Sequence, residues 1–314
     1  MKSLQDHLSE YVAARRSLGT RLEEPAKTLQ QFVKFLTRKK ARFITIQLAL
    51  EWSQQSQGVQ RATWSRKLSM VRQFARWVNV IDPRHQVPPR RLLNVKHRRS
   101  KPHIYSDDEI ARLMTEAARL KSSKGMKALT LETLIGLLWA TGLRPGEAAA
   151  LKTGDVDLQA KILTIRESKF GKSRHVPIHL STVTALNRYS EKRDHALGAP
   201  SSPFFFVADD GSALDLRTVR QWFCKISCVC GLRSKPSDKR YGRGPRLQDL
   251  RHTFATKRLV EWYKAGCNVA LQMPKLATYL GHSSVECTYW YIEAVPELLE
   301  LATEFQLASG KGEQ

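Results

Sequence analysis

The sequence predicts a mainly α-helical chain with one small β-sheet, built as a helical N-terminal domain followed by a mixed α/β domain. Three observations carry that prediction. Apolar residues recur at spacings of three and four through most of the 314 residues. β-Rich segments are confined to KILTIRES (161–168) and RHVPIHL (174–180), and a proline-rich stretch without a single acidic residue, Pro83–Tyr105, separates the two halves.

From Leu4 to about Val80, the periodicity of LSEYVAARRSL, TLQQFVKFL and WSRKLSMVRQFARWV predicts four short helices, with breaks at Gly19 and at the polar tract ending at Gly58. The helix over Trp64–Trp77 carries Arg61, Arg66, Lys67, Arg72 and Arg76 beside its apolar stripe. That cationic face is suited either to solvent or to phosphates. The acid-free stretch holds Arg84, Arg90, Arg91, Lys96, Arg98, Arg99 and Lys101 among four prolines, so it reads as an extended basic linker. The boundaries expected are residues 1–95 for the first domain, 96–105 for the linker and 106–314 for the second domain with a C-terminal helical tail.

Ser106-Asp107-Asp108-Glu109 has the pattern of a capping box with acids in the first turn and marks a helix start. Helices are predicted from Ser106 to about Leu120, from Leu129 to Ala140 and from Pro145, a residue whose fixed φ suits the first helical position. The two β-rich segments flank Lys169–Ser173 and form a hairpin displaying Lys169 and Lys172. Helices resume at Thr182–Arg193, Leu216–Val229 and Leu247–Tyr263 and continue towards the C-terminus.

Lys and Arg total 52 against 29 Asp and Glu, a formal charge of +23, which points to a polyanionic partner. Double-stranded DNA is the first candidate and an anionic membrane surface the second. No apolar run long enough to span a bilayer and no secretory leader is visible, so a cytoplasmic protein is expected. Cys224, Cys228, Cys230, Cys267 and Cys287 lack the pairing of a disulfide scaffold and a second pair at zinc-ligand spacing; buried helix cysteines and no metal are expected.

Three segments hold side chains suited to phosphate chemistry. ATGLRPGEAAAL sets Arg144 at the start of a helix with Glu147 in its first turn. LQDLRHTFAT sets Arg251 inside an amphipathic helix, where a guanidinium beside apolar positions requires a partner: Asp249, Glu147 or a substrate phosphate. LATYLGHSSVECTYWYI places His282 after a glycine, a second capping box at Ser283–Glu286, and then Tyr289, Trp290 and Tyr291. Taken singly, each admits a structural explanation.

Together they resemble the tyrosine recombinase (phage integrase) family. Its catalytic domain is marked by an arginine in a TGLR-x-x-E context, a hairpin lysine, a His-x-x-Arg helix, an LGH-S box and a tyrosine nine residues after that histidine. Arg144, Lys169, Arg251, His282 and Tyr291 match in order and spacing over about Ser106–Ile292, and residues 1–95 fit the family's DNA-clamping domain more loosely. The sequence departs from the pattern at Gln248, which stands where the family has histidine. Glutamine donates hydrogen bonds but does not shuttle protons near neutrality. His252, beside Arg251, points about 100° away from it on a helix and is a poor substitute.

The resemblance implies a site-specific DNA recombinase of integrase, resolvase or transposon type that needs no cofactor and no metal. Arg144 and Arg251 would clamp the non-bridging oxygens, His282 would add a hydrogen bond, Lys169 would protonate the leaving 5′ oxygen with Lys172 as its rival, and Tyr291 would attack to give a 3′-phosphotyrosyl intermediate. Glu147 would orient an arginine. At about pH 7 roughly one unperturbed phenol in a thousand is ionised, a deficit that a cationic pocket is expected to reduce. DNA contacts are expected from Arg66, Arg72, Arg98, Arg99, Lys172 and Arg174. Arg240, Arg243 and Arg246 join them from the basic loop Leu232–Arg246, which carries six cations and one acid. The tail AVPELLELATEFQL, with an apolar stripe at Leu298, Leu301 and Phe305, is expected to pack on a neighbouring protomer in a tetramer on paired DNA sites. The alternatives are a DNA-binding relative without turnover and a DNA-relaxing enzyme of the type IB topoisomerase kind.

Overall fold

The structure is a computed structural model that describes residues 2–20, 22–56, 58–93, 101–166, 173–198, 202–234, 244–294, 298–300 and 303. The chain divides into two compact units, Met1–Ser100 and Lys101–Gln314.

Among its described residues the first unit has four helices: α1 (Leu4–Ser17), α2 (Glu23–Arg38), α3 (Ile46–Gln54) and α4 (Arg61–Ile81). Ser3 and Asp6 close a capping box at the start of α1, and the Thr45 hydroxyl caps α3. The apolar stripes of α2 and α4 meet over Phe32, Phe35, Leu36, Val71 and Phe74, with Tyr11 of α1 and Trp52 of α3 closing the core. Both expected glycine breaks, Gly19 and Gly58, have positive φ. Arg72, one of the expected DNA contacts, donates through Nε to the Pro88 carbonyl (2.8 Å) and through Nη2 to the Pro89 carbonyl (2.9 Å). Two consecutive prolines leave carbonyls with no helix or sheet to satisfy them, and Arg72 meets that need. Arg66 stays exposed and pairs with Glu24 at 3.2 Å.

The second unit is organised round α6 (Met126–Thr141), which is apolar on all sides and therefore central. Packed on it are α5 (Asp107–Ala118), α7 (Pro145–Ala149), α8 (Leu180–Leu197), α9 (Leu216–Val229) and α10 (Asp249–Lys264). The Ser106–Glu109 capping box forms in full, and Pro145 takes the first position of α7. The sheet has a strand more than the predicted hairpin: β1 (Val156–Asp157), β2 (Ile162–Ile165) and β3 (Arg174–Pro177) pair antiparallel in that order, with Leu163 opposite both Val156 and Val176. The hairpin tip holding Lys169 and Lys172 lies outside the described residues, as do Arg98, Arg99, Arg240 and Arg243.

Two more helices, α11 (Val269–Leu280) and α12 (Glu286–Ala294), follow among the described residues. The second capping box does not form as expected: Glu286 is itself the first residue of α12, and its carboxylate accepts from Ser284. The tail residue Leu298 is buried in the unit's own cluster with Phe254, Leu276 and Tyr291, while Leu299 is exposed. Leu301 and Phe305 lie outside the described residues. The cysteines differ from expectation, since Cys224, Cys228, Cys230 and Cys267 are only half-buried and Cys287 is exposed. Among the described residues no helix is long and apolar enough to cross a membrane.

Candidate active site

The site grows from two helix C-termini. A helix leaves its last carbonyls without intrahelical donors and concentrates partial negative charge there, which suits guanidinium groups. Helix α6 ends in Gly142, whose carbonyl accepts from Arg251 Nη1 at 2.9 Å. Three successive carbonyls at the end of α11 each receive a different arginine: Tyr279 from Arg174 Nε (2.8 Å), Leu280 from Arg251 Nη2 (2.7 Å) and Gly281 from Arg144 Nη2 (3.0 Å). The leucine-glycine-histidine turn is thus the device that holds the arginines of α7, β3 and α10 in one place.

The glycines that follow α6 and α11 are required by geometry. Gly281 has φ +68, and a Cβ there would lie 2.7 Å from Nη1 of Arg174. Gly142 has φ +61, and a Cβ there would lie 2.5 Å from the Phe254 ring. Both combine a left-handed backbone with a close approach that leaves no room for a side chain.

Arg251 is 2% exposed. Burial pushes its pKa down to about 10, with Arg144 lowering it further and Tyr291 and Glu147 opposing, so the guanidinium remains charged at neutral pH. Asp249, one of its candidate partners, is taken by Arg246 instead, at 2.7 Å. Arg251 spends two of its five N–H donors on carbonyls and also interacts with the Tyr291 hydroxyl. Arg144 sits at the entrance to α7 and donates from Nη1 to Glu147 Oε1 at 2.6 Å.

Glu147 accepts from a second arginine. Arg174, expected to contact DNA, is 10% exposed on its side chain and bridges both Glu147 oxygens, Nη1 to Oε1 at 3.2 Å and Nη2 to Oε2 at 2.8 Å. With Nε on Tyr279, its whole planar fork is engaged within the protein. Burial favours protonation of Glu147, but hydrogen bonds and charge from Arg174, joined by Arg144, outweigh it and hold the carboxyl below its ordinary value. The Arg246 fork pairs with Asp249, while half of the side chain stays exposed.

His282 shares a 2.7 Å hydrogen bond through Nδ1 with the Thr288 hydroxyl. Thr288 went unremarked in the sequence, although its place three residues before Tyr291 puts it on the same helical face. Burial, followed by Arg251, Arg144 and Arg174, pushes His282 down to about 3, so it is a neutral imidazole at working pH. Gln248 precedes α10 with its side chain unused as a cap, and it lines a cavity of about 490 Å³ with Pro145, Arg217, Arg220, Arg233 and Arg246.

Tyr291 is 3% exposed. Its ring stacks on His282 at 5.9 Å and meets His252 edge-on at 5.3 Å. Here the expectation of an eased ionisation fails: burial raises the phenol above its ordinary value, and Arg251 and Arg144 offset only part of that rise. His252 also differs from expectation. It packs on the Tyr291 and Trp290 rings, with Nδ1 buried and without a hydrogen-bond partner. Burial pushes it down to about 4.

These depressed histidines fix a pH dependence. Between pH 6.5 and the folded values of about 3 and 4, the unfolded chain binds protons that the folded chain refuses, so stability rises with pH across that window and is lost as pH falls through it. Urea unfolding midpoints are expected to drop from pH 7 to pH 5, and the drop to shrink in His252→Gln.

Solved structures place the fold. The Tn1549 transposon integrase in complex with transposon right end DNA matches with a TM-score of 0.66 at 16% identity, covering 98% of this chain and 100% of that one. A lambda integrase tetramer bound to a Holliday junction matches with a TM-score of 0.62 at 16% identity, covering 92% and 77%. The architecture is that of the tyrosine recombinases. Residues 104–297 match the Phage integrase family. A Sinorhizobium fredii protein named as an integrase/recombinase is 40% identical over 306 residues, 96% of each chain, and the tyrosine recombinase XerD of Caulobacter vibrioides is 30% identical over 263 residues, 82% of this chain and 79% of that one. The chain belongs to the phage integrase family and is a DNA strand-transferring enzyme, a site-specific recombinase.

Proposed function

We propose that Tyr291 attacks a scissile phosphate held by Arg144 and Arg251, leaving the chain joined to the 3′ side of the break until a 5′ hydroxyl from another strand reverses the step. The observation that carries this reading is the convergence of two arginines, a neutral imidazole and a phenol on a single helix turn, with Arg251 retaining N–H donors beyond those spent on carbonyls. A pentacoordinate phosphorane gains negative charge, and fixed guanidinium forks oppose it without reorganising. His282 donates to a non-bridging oxygen, its Nδ1 engaged by Thr288. Lys169 protonates the leaving oxygen, with Lys172 as the alternative, and Gln248 contributes a hydrogen bond where the family's pattern has histidine.

Tyr291 is buried in its cluster, so α12 has to move before the phenol meets phosphate. Leu298 lies in that same cluster, so a movement of α12 would uncover it. On paired sites the tail passes to a neighbouring protomer and links four chains. Residues 1–95 and the basic linker clamp the duplex, with Arg66, Arg98, Arg99, Arg240, Arg243 and the exposed side of Arg246 on phosphates.

The test incubates the chain with two duplexes of different length, each carrying the DNA that flanks the gene. Recombinant-length products that require both duplexes support the proposal. Relaxation of supercoiled DNA lacking any such site favours a topoisomerase-like enzyme, and binding without cleavage favours a relative that lacks turnover. Truncation before Pro296 is expected to abolish recombinant products, and unchanged products would remove the tail exchange.

A further inference from the structure

We propose that Arg174 is a positioning residue that frees the charge of Arg144 for the substrate by neutralising Glu147, without itself touching DNA. The proposal rests on the phosphate site described above and assigns Arg174 a task within it.

Glu147 poses an electrostatic problem. Its carboxylate holds Arg144 through Oε1 at 2.6 Å and through Oε2 on the Arg144 backbone N–H at 3.1 Å, which fixes the side chain and the turn that presents it. A carboxylate so close would also cancel the positive charge that a phosphate is meant to feel. Arg174 resolves the conflict by laying both terminal nitrogens along both carboxylate oxygens, a fork-to-fork geometry that Lys cannot reproduce. The cluster then holds three guanidinium groups, of Arg144, Arg174 and Arg251, against one carboxylate, and the neutral His282 adds no charge.

Burial argues that Arg174 does this from behind. Its side chain is 10% exposed, Nε is committed to the Tyr279 carbonyl, and its guanidinium lies against Gly281, where even a methyl group would collide. Arg144, by contrast, is 27% exposed on its side chain, and its nitrogens face the turn that also presents His282. Arg174 therefore has its planar face on protein and its donors on protein, while its charge reaches the site through Glu147. It also links strand β3 to the turn at the end of α11, so the hairpin strand and the arginine-holding carbonyls keep a fixed relation.

The experiment compares the full-length wild type with Arg174→Met, Glu147→Gln and the double variant on a pre-nicked duplex, reading single-turnover cleavage, DNA affinity and the dependence of affinity on salt. Cleavage by the wild type is the control on the phosphate site itself, so a variant's loss measured against it concerns Arg174 alone. Arg174→Met is expected to cleave about 30- to 100-fold more slowly, the order for removing one unit charge about 6–8 Å from the phosphate at an effective dielectric of about 20. Its salt slope should stay that of the wild type, because no phosphate contact is lost. Adding Glu147→Gln, which removes the charge that Arg174 no longer neutralises, should recover about tenfold of the lost rate.

A salt slope shallower by about 0.9 in Arg174→Met, with matching loss of affinity, would make Arg174 a phosphate contact and overturn the proposal. A double variant no faster than Arg174→Met would overturn the charge account and leave only a structural role. If Arg174→Met fails to melt cooperatively, Arg174→Gln, which keeps a hydrogen bond to Glu147, is read by the same criteria.

Discussion

Replacing Arg251 with methionine is expected to slow strand cleavage by about 10²–10³-fold, the usual cost of removing one preorganised transition-state donor, while leaving a folded protein. Two opposed effects act on stability. Loss of the guanidinium strands the Gly142 and Leu280 carbonyls at two helix ends, each a cost of about 1–3 kcal/mol. It also relieves the desolvation of a fully buried cation, a penalty large enough that burial is the main influence on its pKa. Methionine fills the space with an unbranched apolar chain, so the net change in unfolding free energy should remain within about 2 kcal/mol. Arg251→Lys is expected to lose at least about tenfold in rate, because a single ammonium cannot span carbonyls of two helices and still offer a planar fork to phosphate. Single-turnover cleavage alongside urea unfolding checks both halves. A Met variant that cleaves at the wild-type rate would remove Arg251 from the chemistry.

Gly142→Ala is expected to destabilise the fold by about 3 kcal/mol, combining the strain of a left-handed alanine with overpacking. The new methyl would meet Phe254 at 2.5 Å and Leu280 at 3.1 Å, and neither can retreat freely. Phe254 is stacked on Tyr279 at 5.6 Å, and Leu280 is buried at the end of α11, where its carbonyl holds Arg251. The strain therefore falls on the turn that gathers the arginines, and cleavage should fall even at temperatures where the variant stays folded. Gly125→Ala is the control. It has φ +72 in the same unit but nothing within 4 Å of its added carbon, so only about 1–2 kcal/mol of backbone strain is expected. Equal unfolding midpoints for the two variants would show that packing at Gly142 contributes nothing.

Local patterns made much of the fold legible. Helix α9 runs over Leu216–Val229 as its periodicity predicts, the Ser106–Glu109 box caps α5, and Pro145 opens α7 with Arg144 immediately before it. These depend on residues within one or two turns of each other. The two-residue strand β1 is too short for an alternation to register, and its place is set by pairing with β2.

The site's main residues were visible as motifs, but their partners were not, because partners are chosen by tertiary packing. Nothing near Arg251 in sequence reveals that it is held by carbonyls of α6 and α11, or that Asp249 belongs to Arg246. Arg174 and Arg72 look like surface cations in sequence, yet one serves a carboxylate and a helix end and the other serves two proline carbonyls. One hint was available for Arg174. It is two residues from the buried Val176 on β3 and so shares its inward face. The raised pKa of Tyr291 was also out of reach, since charge is readable from composition and desolvation is not.

The most direct test of the central claim is a covalent trap. Wild type and Tyr291→Phe are incubated with nicked duplexes from the DNA flanking the gene, denatured, and assayed for protein joined to a 3′ phosphate, with the attachment mapped by mass spectrometry of the labelled peptide. The account predicts an adduct on the peptide containing Tyr291 in the wild type and none in the variant, with equal DNA binding. An adduct that persists in Tyr291→Phe, or that maps to Tyr289 instead, would contradict it.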